Sequence, residues 1–275
     1  MSFRLERPAH RARHVVVEVP HASVRVPRSL RAAVRVAPLD LARDADLFVD
    51  RLFAGAPSRG APLLTAVWSR YVVDLNRTED DVDAASVVGA AARPGGSPRG
   101  VIWRETTNGV PVFDEPMSAD ALETRLERYY RPYHSTLESL VLETKRADGA
   151  AVLVAAHSMP STGRAGHSDP RRRRADIVPG TRARTTAAGV VIDTVERHFR
   201  AAGLSVEHDV PYRGGATVAR WGRPADAMHA VQIEINRGLY MDESTCTPSA
   251  RFEWMSELCT SLVERLADIG PAELR

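Results

Sequence analysis

The sequence predicts an α/β fold in which helices pack on a largely parallel sheet, as a single domain over residues 1–275. Three observations carry this. Four short apolar runs rich in β-branched residues read as buried strands, and helical patterns lie between them. Each run also changes to polar, reactive side chains at its C-terminal end. Strands alternating with helices are the pattern of an α/β sandwich.

The strand candidates are HVVVEVPHAS (14–23), SRYVVDLNR (69–77), AAVLVAAHSMP (150–160) and AVQIEINRGLY (230–240), with APLLTAVW (61–68) as a neighbouring strand. Residues 117–147 have apolar positions at helical spacing behind a Ser118 N-cap. Residues 184–203 form a second helix ending on Gly203, a residue suited to a C-cap, and 249–270 a third, amphipathic one. The Pro- and Gly-rich stretch 91–100 reads as a loop near the site and not as an interdomain linker.

Composition limits the function. Apolar residues make up 44% and charged residues 26%, the balance of a globular protein. A formal net charge of +2 does not point to a nucleic-acid partner, and the basic run Arg171–Arg174 reads as a solvated loop. Two cysteines without a CxxC spacing read as reduced thiols. With no apolar leader and no run of membrane-spanning length, the expectation is a cytoplasmic protein.

The strand ends hold the chemistry. They deliver His21, then Asn76 and Arg77, then His157, then Glu234, Asn236 and Arg237. In a parallel sheet these ends share one edge, and ligands bind in the crevice outside it. Two histidines there suggest a metal, with zinc the best match to imidazole, and a carboxylate as third ligand from Asp44 or Asp46. In VQIEIN, Gln232, Glu234 and Asn236 share one face of the strand. A carboxylate on a central strand needs either a function or an ion-pair partner, such as Arg237 or Arg220. No GxSxG elbow or Walker spacing is present, which argues against a serine hydrolase and a nucleotide-binding protein. The competing reading is a metal-free binding protein that holds an acidic metabolite.

Six segments in order resemble the motifs of the N-formylglutamate amidohydrolase family: VPHASVRVP, RDADLFVDRLF, SRYVVDLNRTEDD, AAHSMPS, YRGGATVARWGRP and HAVQIEINRGLYMDE. Some also resemble the wider zinc carboxypeptidase and aminoacylase group. The resemblance implies a three-layer α/β/α sandwich with a mixed sheet and a Zn2+-dependent amidase acting on a small N-acyl amino acid with a free carboxylate. It implies His21 and His157 as metal ligands and Glu234 as general base. Asn76 and Arg77, with Arg220, become the substrate-carboxylate group, and Arg70 or Arg237 the oxyanion stabiliser. Val24 stands where the carboxypeptidases place a glutamate ligand, so the third ligand is expected to be Asp46, with Asp44 in reserve. Ala216 stands where the family tends to carry histidine, which leaves the side-chain specificity open.

Overall fold

The computed structural model describes residues 2–10, 14–90 and 99–275. Its main sheet is built from β1 (Phe3–Glu6), β2 (Val15–Val19), β3 (Leu63–Ala66), β4 (Ala151–Met159), β5 (Ile177–Gly180) and β6 (Met228–Asn236). The strands lie in the order β1-β3-β2-β4-β6-β5. The inner four run parallel, and the two edge strands are antiparallel to their neighbours.

Every residue of β2, β4 and β6 is buried, because helices cover both faces of the sheet. Val15, Val17, Val152, Val154, Val231 and Ile233 point to one side. They meet α2 (Val49–Leu52), α5 (Gly189–Ala201) and α7 (Phe252–Ala267). On the other side Val16, Leu153, Ala155 and Ala230 pack on α4 (Arg131–Asp148) and α6 (Ala216–Trp221). The period of two along each strand thus produces the three layers.

The long helix expected over 117–147 begins where its cap was placed, with Ser118 Oγ accepting from the Ala121 N–H at 3.2 Å. It is not uniform. After α3 (Ala119–Arg125) the chain makes a π turn over Leu126–Tyr130 before α4 resumes. Pro132 explains this: it has no N–H for the Arg128 carbonyl, and its ring is accommodated by widening the preceding turn. Gly203 follows α5 at φ +79°, a conformation natural to glycine, and its N–H reaches the Arg200 carbonyl at 2.9 Å.

Two expectations need correction. Residues 69–77 are not a strand; the strand in this region is β3, and the chain then turns repeatedly. Tyr71 and Val72 are fully buried, so the run is apolar for packing and not for pairing. Tyr71 meets Trp103 edge-on, with ring centroids 5.7 Å apart. Arg125 Nη1 donates to the Tyr71 and Val72 carbonyls, at 3.3 and 3.1 Å, which a sheet would otherwise have satisfied. The basic run is not wholly solvated either. Arg174 is buried and ion-paired with Asp169, while Arg172 pairs with Glu207 at the surface. Residues 91–98 of the expected loop lie outside the described residues. Among the described residues, no helix is long and apolar enough to cross a membrane.

One buried carboxylate sits in the middle of the sheet. Glu18, on β2, accepts from the Tyr133 hydroxyl at 2.9 Å, and its other oxygen has no hydrogen-bond partner among the described residues. Burial, only partly offset by Tyr133 and the His157 charge, raises its pKa from 4.5 to about 7. The folded state therefore holds a proton that the unfolded state has lost, so this group's contribution falls as pH rises from 4.5 through about 7. Glu18→Gln removes that dependence and keeps an acceptor for Tyr133. The stability of the variant relative to wild type, from urea unfolding at a series of pH values, is expected to increase across this window. The gain is on the order of 3 kcal/mol, levelling off above it.

Candidate metal centre and active site

The chain leaves β2 for β3 on one side and then crosses to β4 on the other, so the sheet has its switch point between β2 and β4. Crevices outside the carboxyl ends of strands open at such points. A cavity of about 430 Å³ lies there, lined among others by Asp46, Arg70, Arg77, His157, Glu234 and Arg237.

Three side chains converge in a buried cluster. One nitrogen each from His21 and His157 and one oxygen from Asp46 lie within 4.8 Å of one another. His21 follows the end of β2, His157 lies near the end of β4, and Asp46 follows α1 (Pro38–Asp44). Asp46 is tied to the first histidine through its backbone N–H, which donates to the His21 carbonyl at 2.9 Å. Its Oδ2 stands 3.0 Å from His157 Nδ1 and 3.7 Å from His21 Nδ1, and its Oδ1 accepts from Arg237 Nη2 at 3.1 Å. Burial alone would raise the Asp46 pKa. The hydrogen bond from His157, with the charges of His157 and Arg70, outweighs it and holds the carboxylate ionised.

The His21 ring has a defined tautomer. Its Nε2 lies 2.8 Å from Asp74 Oδ1, and its Nδ1 lies 2.8 Å from Arg70 Nη2. A guanidinium only donates, so Nδ1 offers a lone pair and Nε2 carries the proton. This carboxylate–histidine arrangement prepares an imidazole to bind a metal. Burial opposes the charge on Asp74, but His21 and Arg70 hold its pKa well below the usual carboxylate range. Two imidazoles and a carboxylate are a donor set that fits zinc and leaves a coordination position open.

Glu234 is the register partner of His157 across the parallel β4–β6 pair, so the two side chains emerge side by side on one face. Its Oε1 accepts from Gln232 Nε2 at 2.7 Å. The direction of that amide is fixed, since Gln232 Oε1 accepts from the Gly215 backbone N–H at 2.9 Å. Glu234 Oε2 has no hydrogen-bond partner among the described residues. Burial raises the Glu234 pKa; the His157 charge lowers it, and the Asp46 charge adds to the rise. Gly215 must be glycine here, because a Cβ would stand 2.3 Å from Asn76 Oδ1.

The remaining candidates divide. Arg70 and Arg77 line the cavity, and Arg77 Nε donates to the Arg99 carbonyl at 2.9 Å. Asn76 lines it too, but both ends of its amide are engaged: Oδ1 accepts from Thr217, and Nδ2 faces Gln232 Oε1 at 3.1 Å and His157 Nε2 at 3.3 Å. It braces the site and has no donor left for a substrate carboxylate. All three nitrogens of Arg237 bond to protein atoms, which suits a brace for Asp46 more than an oxyanion donor. Arg220 is corrected outright. It sits on the outer side of α6, half-exposed, paired with Glu138 at 2.9 Å and stacked on Trp221, and it does not line the cavity. Asp44 accepts from the Tyr71 hydroxyl, the Thr107 N–H and Arg164, so it joins segments around the site and lies outside the three-residue cluster.

Sequence reasoning gave no site role to Asp74, Gln232 or His167. Gln232 had a visible signal, its place on the polar face with Glu234. Asp74 had only its position two residues before Asn76, and His167 lay in a loop that reads as solvated.

Known proteins resemble this chain along most of its length. The sequence profile of the N-formylglutamate amidohydrolase family matches residues 13–241. The crystal structure of N-formylglutamate amidohydrolase from Ralstonia eutropha JMP134 superposes with a TM-score of 0.89 at 33% identity, covering 97% of both chains. The N-formylglutamate deformylase of Pseudomonas putida is 29% identical over 84% of this chain and 82% of its own. That of Pseudomonas aeruginosa is 29% identical over 92% of this chain and 91% of its own. With a profile match over most of its length and a relative of one-third identity along nearly all of it, the chain belongs to the N-formylglutamate amidohydrolase family.

Proposed function

We propose that the protein is a zinc-dependent amidohydrolase that cleaves N-formyl-L-glutamate with one water to formate and glutamate. The observation that carries this is the His21–Asp46–His157 cluster next to Glu234 on adjoining parallel strands, in a chain of this family. A non-catalytic binding protein would have no use for that convergence. His21, Asp46 and His157 would hold the metal. Bound zinc supplies Lewis acidity, which polarises a carbonyl and lowers the pKa of water at its open position to about 7.

The chain's own residues supply the rest. Glu234, with Oε1 held by Gln232, has Oε2 available to accept a proton from the attacking water and return it to the departing amine nitrogen. Its raised pKa makes it the stronger base for the first of these transfers. Arg70 Nη2 lies beside His21 Nδ1, so Arg70 is the guanidinium best placed to meet negative charge developing on the formyl oxygen. Arg77 orients the substrate through a carboxylate, which its planar fork can grip with two parallel hydrogen bonds.

Metal analysis of the purified protein is expected to show one zinc per chain, with turnover lost on chelation and restored by zinc. His21→Ala should lose both metal and activity, and full occupancy in that variant would remove His21 from the ligand set. Glu234→Gln is expected to keep its zinc and its fold while kcat falls by about 10²–10⁴. A variant that unfolds instead would mark Glu234 as structural. In Arg77→Lys the charge stays and the fork is lost, so KM should rise about tenfold or more, with zinc content unchanged. The same variant should discriminate less against a substrate whose carboxylate is amidated. Unchanged KM with lowered thermal stability would instead assign Arg77 to internal contacts with Asp81 and the Arg99 carbonyl.

A further inference from the structure

We propose that His167, with Arg99 and Arg164, forms a second carboxylate subsite in the cavity, which selects N-formyl derivatives of acidic amino acids over neutral ones. This rests on the amidohydrolase reading above and adds a specificity-determining residue to it.

The first support is the tautomer of His167. The Arg164 backbone N–H donates to His167 Nδ1 at 2.9 Å. A backbone N–H cannot accept, so Nδ1 is unprotonated and the proton of the neutral ring lies on Nε2. No hydrogen-bond acceptor for Nε2 occurs among the described residues, and His167 lines the cavity. The ring stays neutral: burial first, then the charges of Arg174 and Arg164, push its pKa down to about 3. It therefore offers a donor that does not change with pH across the neutral range.

The second support is a local surplus of donors. Arg164 Nη2 bonds to Asp44 Oδ1 and the Arg43 carbonyl, while its Nε and Nη1 are buried with no acceptor among the described residues. Arg99 Nη2 donates to the Gly166 carbonyl at 2.5 Å, which fastens the segment carrying His167 to the wall that also carries Arg77. Seven arginines line the cavity, of which Arg70, Arg77 and Arg174 are paired with Asp74, Asp81 and Asp169 behind its wall. Buried donors without acceptors are uncommon in native proteins. The donor that a carboxylate in the cavity can reach is His167 Nε2, in the neighbourhood of Arg99 and Arg164 on the same lining.

The two stations are adjacent on that wall, since Arg77 Nε donates to the Arg99 carbonyl. A substrate with one carboxylate at Arg77 can thus present a second to His167. The rival explanation is that His167 only pins its own loop through Nδ1. Asp169 and Arg174 already do this, with a paired contact of 2.9 and 2.6 Å, so the pinning does not require an imidazole.

The test compares N-formyl-L-glutamate with its neutral isostere N-formyl-L-glutamine, using zinc-loaded enzyme. Wild type is expected to prefer the glutamate derivative in kcat/KM. His167→Phe should raise KM for it about tenfold or more, as expected for a lost hydrogen bond to a charged group, and cost the glutamine derivative, whose amide oxygen accepts only a neutral hydrogen bond, clearly less. His167→Gln, which restores an amide donor near the Nε2 position, should recover part of the preference. Equal losses on both substrates in His167→Phe, or no preference in wild type, would overturn the subsite. Calorimetric titration with glutarate and with butyrate reads the same site without turnover. Glutarate should bind wild type and weaken about tenfold in His167→Phe, with butyrate unchanged, and equal glutarate affinity for the two proteins overturns the proposal. Absence of formate release from either substrate by the zinc-loaded wild type counts against the amidohydrolase reading alone, and the glutarate titration then decides the subsite.

Discussion

The Asp74 carboxylate organises this site. It is fully buried and accepts four hydrogen bonds. Oδ1 takes His21 Nε2 and the Asn76 backbone N–H, each at 2.8 Å, and Oδ2 takes Trp103 Nε1 at 2.8 Å and Arg70 Nε at 3.2 Å. A buried carboxylate is tolerated only when its lone pairs are satisfied, and these four donors satisfy it. One group thereby sets the proton on His21, places Arg70 beside the lone pair of Nδ1, and forces the chain to turn at residues 74–76. The same turn aims Asn76 at His157 and places Arg77 on the cavity wall. A first turn is closed upstream by the Val72 N–H on the Ser69 carbonyl at 2.9 Å, and Asp74 supplies the second.

Asp46 is the second organising anion, and the two acids act differently. Asp74 lies behind the His21 imidazole and Arg70 and does not itself line the cavity. Asp46 lies in the cluster with the two histidines, braced by Arg237. Concentrating ionised groups at one sheet edge has a desolvation cost that hydrophobic residues of the same volume would avoid. Hydrogen bonds offset much of it, but they do not explain why the groups are there. Perturbed acids in a cleft are more often found where chemistry is done. Their position at the topological switch point of the sheet points the same way.

The parts of this fold that were legible in the sequence are those where burial and pairing coincide. In β2, β4 and β6 both faces are covered, so uninterrupted valine and isoleucine runs could mean only interior strands. At Tyr71–Val73 burial occurs without pairing, because Arg125 satisfies the carbonyls from another element, and no periodicity signals that. Glu234 was legible from alternation, since its polar neighbours shared its face. The choice between Asp44 and Asp46 was not. They are two residues apart at the end of α1, where the helix stops at Asp44 and the chain becomes extended at Ala45, which turns them toward different partners. Arg220 failed for a related reason: the sequence put it near a glycine-rich loop, but only the seating of α6 decides which of its faces meets the cavity.

The two histidines are held unequally, and the difference joins the histidine–aspartate cluster to the cavity wall. His21 already presents a lone pair at Nδ1. His157 Nε2 instead faces the Asn76 amide nitrogen, so it accepts, and its proton lies on Nδ1 against Asp46. Asn76 cannot simply rotate to change this, because Thr217 holds its oxygen while Gln232 takes its nitrogen. Gln232 is fixed in turn by the Gly215 N–H. A metal taken up at His157 Nδ1 requires that proton to leave the nitrogen, as ligation by imidazole always does. The contact that must then loosen is the one between Asn76 and His157, the 3.3 Å one of the two Nδ2 contacts, beside 3.1 Å to Gln232. The Gly215 loop and Glu234 hang from the same glutamine, so any shift at Asn76 is passed to the groups that hold Glu234 in place.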